Sequence, residues 1–404
     1  MRMTKCLPVA LAALLVAATV QAQERVESSS MPQSYRAGWT ITPTMGFAET
    51  YDDNISLFGQ HTAENQNNDY ITTFFPGLDL HYSGKHTRFG SSYSGSFLNY
   101  RTFSLLNRWD QRMKVDVRRQ ETARMNWFAR AGASMLPSTD LVELGGLPYR
   151  HTGAKTADAR GGVEYTFGAR DSLMSSLNFQ HVAFDRAPDV RAILRGGDVV
   201  ESMNIWRHKV DARLALGTDY SYRRAHVVGD LETFSIHTAE GAVEYDLSPS
   251  WSFTGGAGAV YLESTAITSA RSGPAWRVSL ERHRGTSSFH VGYSRSYIPS
   301  FGFGGTVQNE EVGVGFHTPI FGSRHFYTDH SIVYRDNEPL TDLVQQLPLR
   351  SLRTYSIVGW EPQRWVRFEG FYSRVQQTSL RAGGLLYRNR VGIQIVTSKP
   401  MRVQ

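Results

Sequence analysis

The sequence predicts an all-β fold, a single transmembrane antiparallel β-barrel of about 18 strands, with about 16 as the alternative count. Three observations predict it. Apolar and polar residues alternate with a period of two through nearly the whole chain, no helical stretch is present to cover the apolar faces, and tight connections alternate with long ones. Successive side chains on a strand point to opposite faces, so each strand here has one apolar and one polar face. Lipid outside and a polar lumen inside satisfy both. Ala275–Tyr297 is the clearest unit: Trp276, Val278 and Leu280 alternate with Arg277, Ser279 and Glu281. After the turn at Arg284-Gly285-Thr286, Phe289, Val291 and Tyr293 alternate with His290, Gly292 and Ser294. The unit reads as a hairpin, with its apolar residues toward lipid.

The first residues carry Arg2 and Lys5, then an apolar run to about Ala18, then Val20-Gln21-Ala22. That order is expected of a secretory signal peptide, residues 1–22. Cys6, the one cysteine, falls inside it, so the mature chain needs no disulfide. Arg2 and Lys5 account for two of the +6 formal charges. The remainder is spread without a basic block, so no nucleic-acid partner is expected. After residue 22 no apolar run is long enough for a membrane helix. Aromatics at 12% and 36 glycines suit aromatic girdles and twisted strands.

Residues 23–37 read as a short periplasmic arm and 38–404 as the barrel. The first strand covers Gly38–Thr50, with Trp39, Ile41, Met45 and Phe47 on one face. The Asn- and Asp-rich loop Tyr51–Asn68 follows. Strands two and three turn at Ser83-Gly84-Lys85, and the third covers Thr87–Tyr100. The fourth alternates Met113, Val115 and Val117 with Arg112, Lys114, Asp116 and Arg118. The fifth runs into Leu136–Lys155, read first as an external loop and second as an inward fold that narrows the lumen. The sixth and seventh turn at Gly168–Asp171. The eighth is read through Leu214, with its turn at Gly217-Thr218-Asp219, leaving an irregular ninth. The tenth and eleventh turn at Ser248–Ser250. The last four strands start near Arg324, Leu349, Arg364 and Gly384. An even strand number places both termini in the periplasm.

A barrel of this size leaves an aqueous lumen unless something plugs it, and neither the arm nor the loops look large enough to do so. The expected lumen lining is Arg112, Lys114, Arg118, Arg130, Arg160, Glu164, Arg207, Lys209, Asp211, Arg213, Glu240, Glu244, Arg277, Glu281, Arg388 and Arg390. Most should form interstrand ion pairs. No enzyme chemistry emerges: Asp329 and His330 are adjacent on a strand and face opposite ways, and Asp52-Asp53 read as a solvated loop pair. Zinc, phosphate-loop and dinucleotide motifs are absent, so no cofactor is expected.

Tyr51-Asp52-Asp53-Asn54-Ile55, the Tyr245-Asp246-Leu247-Ser248-Pro249 turn and Arg388-Asn389-Arg390-Val391-Gly392-Ile393 resemble the β-barrel porin family found with exopolysaccharide biosynthesis and export genes. The resemblance implies an outer-membrane conduit for a polysaccharide, in contact with outer-membrane lipid and working with a periplasmic export partner. It carries over no catalytic residues. The alternative from the residues themselves is a general diffusion porin for small hydrophilic solutes.

Overall fold

The computed structural model describes residues 37–57, 67–142, 147–185, 194–227, 233–265, 270–301, 305–323, 325–340, 348–379 and 385–403. The expected signal peptide, the arm before Ala37 and Gly145-Gly146 lie outside the described residues. The strands are β1 Gly38–Asp52, β2 Asp69–Ser83, β3 Thr87–Tyr100, β4 Arg108–Gln120, β5 Met125–Leu136 and β6 Ala154–Thr166. Next come β7 Asp171–Phe184, β8 Gly197–Lys209, β9 Leu214–Val227, β10 Thr233–Ser248, β11 Trp251–Ser264 and β12 Arg271–Arg284. The series ends with β13 Ser287–Pro299, β14 Thr306–Pro319, β15 Phe326–Pro339, β16 Leu349–Gln363, β17 Val366–Ser379 and β18 Leu385–Ser398.

Each strand pairs antiparallel with its sequence neighbours, and β18 closes on β1 from Thr44↔Ser398 to Asp52↔Arg390. The fold is therefore a closed 18-stranded barrel without an exposed edge. Pro400, which cannot donate to the ladder, interrupts β18, and Met401–Val403 then resumes the pairing against Trp39–Ile41. The only helical turns among the described residues are the short Ser104–Leu106 and Thr139–Leu141.

The alternation read from the sequence becomes inside and outside. Phe47, Val278, Val358 and Ile393 are exposed on the outer face, Ile393 by 70%, although they are large and apolar. A bilayer accepts such an exterior; water does not. Aromatic rings pair near both rims: Trp39 with Tyr82 at 5.1 Å and Trp360 with Phe368 at 5.3 Å near the tight turns, and Tyr51 with Tyr70 at 5.3 Å near the long loops.

The tight turns set the register. Gly285-Thr286 joins β12 to β13 with Arg284 opposite Ser287. Gly285 has φ +61°, which suits glycine at the first central position of a type II′ hairpin turn. The β8–β9 connection differs from the sequence reading. The turn lies at 210–213 and not at Gly217-Thr218-Asp219, and β9 is regular. The cause is Asp211, whose carboxylate accepts the backbone N–H groups of Arg213 at 2.6 Å and Leu214 at 2.9 Å. An Asx-type turn of this kind ends the strand without glycine or proline.

The lumen is not empty at the long-loop end. Val182, Val199, Ala225, Phe234, Ile236, Val260 and Leu262 from β7–β11 form one buried cluster with Val142, Leu147, Leu194, Phe301 and Leu340, which belong to four connections. The backbone N–H of Arg195 donates to Phe301 O at 2.9 Å, joining two of those connections. The connections, though short, therefore fill part of the mouth, contrary to the reading of an unobstructed lumen.

Candidate functional site

Arg388 is the hub of the long-loop end of the lumen. Its Nε donates to Asp52 at 2.8 Å and its Nη2 to the same Oδ2 at 2.5 Å. Its Nη1 donates to both oxygens of Asp140 at 3.3 Å. The side chains of Arg388, Asp52 and Asp140 are at most 1% exposed. Arg390 adds a second guanidinium, Nε to Asp52 Oδ2 at 2.8 Å. Two buried carboxylates thus share two guanidinium groups, and balanced pairing is what makes buried charge tolerable.

Asp140 does not come from the wall. It lies in the turn Thr139–Leu141 of the β5–β6 connection. Thr139 Oγ1 donates to Pro148 O at 2.7 Å, and the Arg150 N–H donates back to that hydroxyl at 2.6 Å. On the other side of the barrel seam, Arg353 of β16 donates to the Asp140 carbonyl. Gln377 of β17 accepts from the Tyr149 N–H at 2.8 Å and donates to Leu147 O at 3.1 Å. The connection leaving β5 is therefore tied to β16, β17 and β18, so it crosses the lumen as a strap. This overturns the first reading of Leu136–Lys155 as an external loop and supports the second.

Electrostatics hold the strap. Burial works to raise the Asp140 carboxyl, but Arg388 and Arg390, with Ser138 and Arg353, overcome it and keep Asp140 below the usual carboxylate range. Beside it, burial first and Arg388 second push the His151 imidazole down to about 4, so it is neutral at neutral pH.

Register shows where the remaining expected residues lie. Arg390 faces Asp52, Asp52 faces Asp69, and the same face continues through Ser94↔Arg112, Lys114↔Gly132 and Arg130↔Arg160. Arg112, Lys114, Arg118, Arg130, Arg160, Glu164, Arg207, Glu240, Glu244, Arg277, Glu281, Arg388 and Arg390 share that inner face, with Lys209 at the very end of β8. Asp211 and Arg213 do not, because both belong to the β8–β9 turn.

Interstrand pairing engages several of them. Arg118 meets Glu164 at 2.5 Å, Arg207 meets Glu244 at 2.8 Å, and Arg277 lies 3.4 Å from Glu240. Asp219, which sequence reading placed in a turn, binds both Arg207 and Arg277. Arg112 and Lys114 are exposed on that face and form no ion pair among the described residues.

The sequence matches no protein-family model and no curated protein. Among solved structures it is similar to proteins of the Occ and Opd names. OpdQ of Pseudomonas aeruginosa is 10% identical, with 91% of this chain and 98% of that chain covered and a TM-score of 0.44. OccK1 (OpdK) of the same organism is 9% identical, covering 89% and 99%, at 0.45. OccAB4 of Acinetobacter baumannii is 8% identical, covering 92% and 100%, at 0.45.

Two of the stretches that carry the exopolysaccharide-porin resemblance touch one another. Asp52 binds Arg388 and Arg390. Asp53 accepts both the backbone N–H and the side-chain amide of Asn389 at 2.6 Å, and Asn54 donates to Tyr387 O at 2.7 Å. Asp52 is the last residue of β1, in phase with Ala48 and Thr50, and not a solvated loop residue. These motifs join the first strand to the last, a closure role that needs no particular cargo.

Proposed function

We propose that the chain is an outer-membrane channel through which small hydrophilic solutes diffuse, narrowed at the long-loop end by a strap whose described residues are 137–142 and 147–153. The observation that carries this reading is the tie of Asp140, Leu147 and Tyr149 to Arg388, Arg353 and Gln377 across the lumen. A polar wall beside a narrowed mouth passes small solutes while excluding large ones. Arg112 and Lys114, exposed and without an ion pair among the described residues, give the path positive charge and a preference for anions. With an even strand number and the tight turns toward the periplasm, the strap lies on the external side. The direct test is conductance and ion selectivity of the purified barrel in planar bilayers, together with solute uptake into liposomes graded by solute size.

Polysaccharide export with a periplasmic partner, the reading the resemblance implies, needs the strap and the apolar cluster to leave the lumen. Deleting the gene separates the two readings. Loss of surface polymer with precursor retained in the periplasm supports export; unchanged polymer with reduced solute uptake supports the diffusion channel.

A further inference from the structure

We propose that a recess on the outer surface of β12–β14, at the tight-turn rim, binds the phosphate of an anionic glycerophospholipid. The recess holds about 340 Å³ and is lined by Arg282 and Arg284 of β12, Ser287 and Phe289 of β13, and Phe316 and Thr318 of β14. Pairing of Arg282 with Phe289, and of Phe289 with Phe316, puts these residues on the face that also carries Val278, Val291 and Val314. These six therefore face the bilayer, while Ser288 and His317, which also border the recess, lie on the inner face.

Arginine on a lipid-facing surface costs most at mid-bilayer and least at the rim, where its guanidinium can reach a headgroup. Near the opposite rim the barrel supplies partners: Arg295 lies 3.4 Å from Glu310, and Arg350 lies 2.9 Å from Asp336. At the recess no carboxylate pairs with either arginine among the described residues. Arg282 sits over the Trp251 ring at 5.3 Å, and its Nε is buried without a hydrogen-bond acceptor. Arg284 is exposed and has no ion pair among the described residues, and no carboxylate lines the recess. Ser287 and Thr318 bring two hydroxyls 3.2 Å apart.

Two guanidinium forks and the one hydroxyl proton that the Ser287–Thr318 pair leaves over present a donor set that a phosphate monoanion accepts. The occupant is a lipid because Phe289 and Phe316 continue into the apolar stripe of Val291 and Val314, along which acyl chains lie. Two uncompensated positive charges favour a headgroup with net negative charge over a zwitterionic one. The proposal rests on the barrel standing in a bilayer and is independent of what passes through the lumen, so loss of conductance leaves it untouched.

Native mass spectrometry of the intact barrel in neutral detergent, offered equal amounts of phosphatidylglycerol and phosphatidylcholine, tests it; heat-modifiability in electrophoresis checks the fold of each variant. Phosphatidylglycerol should be retained over phosphatidylcholine by roughly fivefold, the scale of one solvent-screened ion pair. The preference should vanish in Arg282→Gln/Arg284→Gln. It should persist in Arg119→Gln, which removes an arginine already paired with Glu121 at 3.0 Å. Should the double variant fail to fold, Thr318→Glu keeps both arginines, gives them a carboxylate, and should abolish the preference equally. Equal retention of the two lipids, or a preference that survives in the folded variants, overturns the proposal. Displacement of phosphatidylglycerol by millimolar inorganic phosphate assigns the recess to a free anion and overturns the lipid assignment.

Discussion

Arg388, on the strand that closes the barrel, reaches Asp140 at 3.3 Å across 248 residues of sequence, with both side chains 1% exposed. That contact fastens a mobile kind of element, a loop, to a rigid wall. Removing one partner of a buried ion pair costs about 3–5 kcal/mol, because the other charge is left without compensation. Arg388→Ala strands Asp140 and leaves Asp52 with Arg390 alone. It should release the strap, seen as loss of hydrogen-exchange protection at the Tyr149 and Arg150 amides. Protection should remain in β4, whose ladder does not involve Arg388.

Acid should loosen the same strap. His151 has its pKa lowered from 6.5 to about 4, so between those values the released loop binds a proton that the docked loop refuses. Docking is therefore strongest above pH 6.5 and weakens as pH falls toward 4. Asp140, held below the usual carboxylate range, stays ionised through most of that window and adds its own loss only at lower pH. Protection of Tyr149 should fall over this range in the wild type. In His151→Asn the decline should begin only where Asp140 titrates.

The two faces of β12 should respond oppositely to charge. An arginine at a mid-bilayer lipid-facing site costs about 2–4 kcal/mol, and one in a polar lumen costs little. Val278→Arg should impair assembly, measured as loss of the heat-modifiable band, while Ser279→Arg assembles normally. Gly315 is no substitute control although it faces inward, because a side chain there runs into the His290 ring.

The strands were legible because period-two alternation is a local signal repeated in every strand; β3 is read at Thr87–Tyr100, as the structure has it. The eighth strand was overextended because Asp211 makes its turn through side-chain bonds that no glycine or proline announces. Asp52 was misread since Asn and Asp usually mark loops, whereas here alternation carries the strand through to it. Arg388 could be placed on the inner face, but its tie to Asp140 could not. That pairing depends on where a loop folds, and alternation says nothing about loops.

Free lumen charge should set ion preference. Arg112→Gln/Lys114→Gln removes two exposed cations that form no ion pair among the described residues, and should shift the reversal potential in a KCl gradient toward cation selectivity by tens of millivolts, a few-fold change in permeability ratio. Arg207→Gln in the Asp219 and Glu244 network should instead reduce stability, seen as a lower melting temperature of the folded band.

Single-channel conductance in planar bilayers reads whether the strap narrows the path. Wild type is compared with a variant in which residues 139–150 are replaced by a short Gly-Ser linker. A small conductance that rises several-fold on replacing the strap is the result the structure predicts. Large and equal conductance in both proteins would contradict it, because the lumen would then be open with the strap in place.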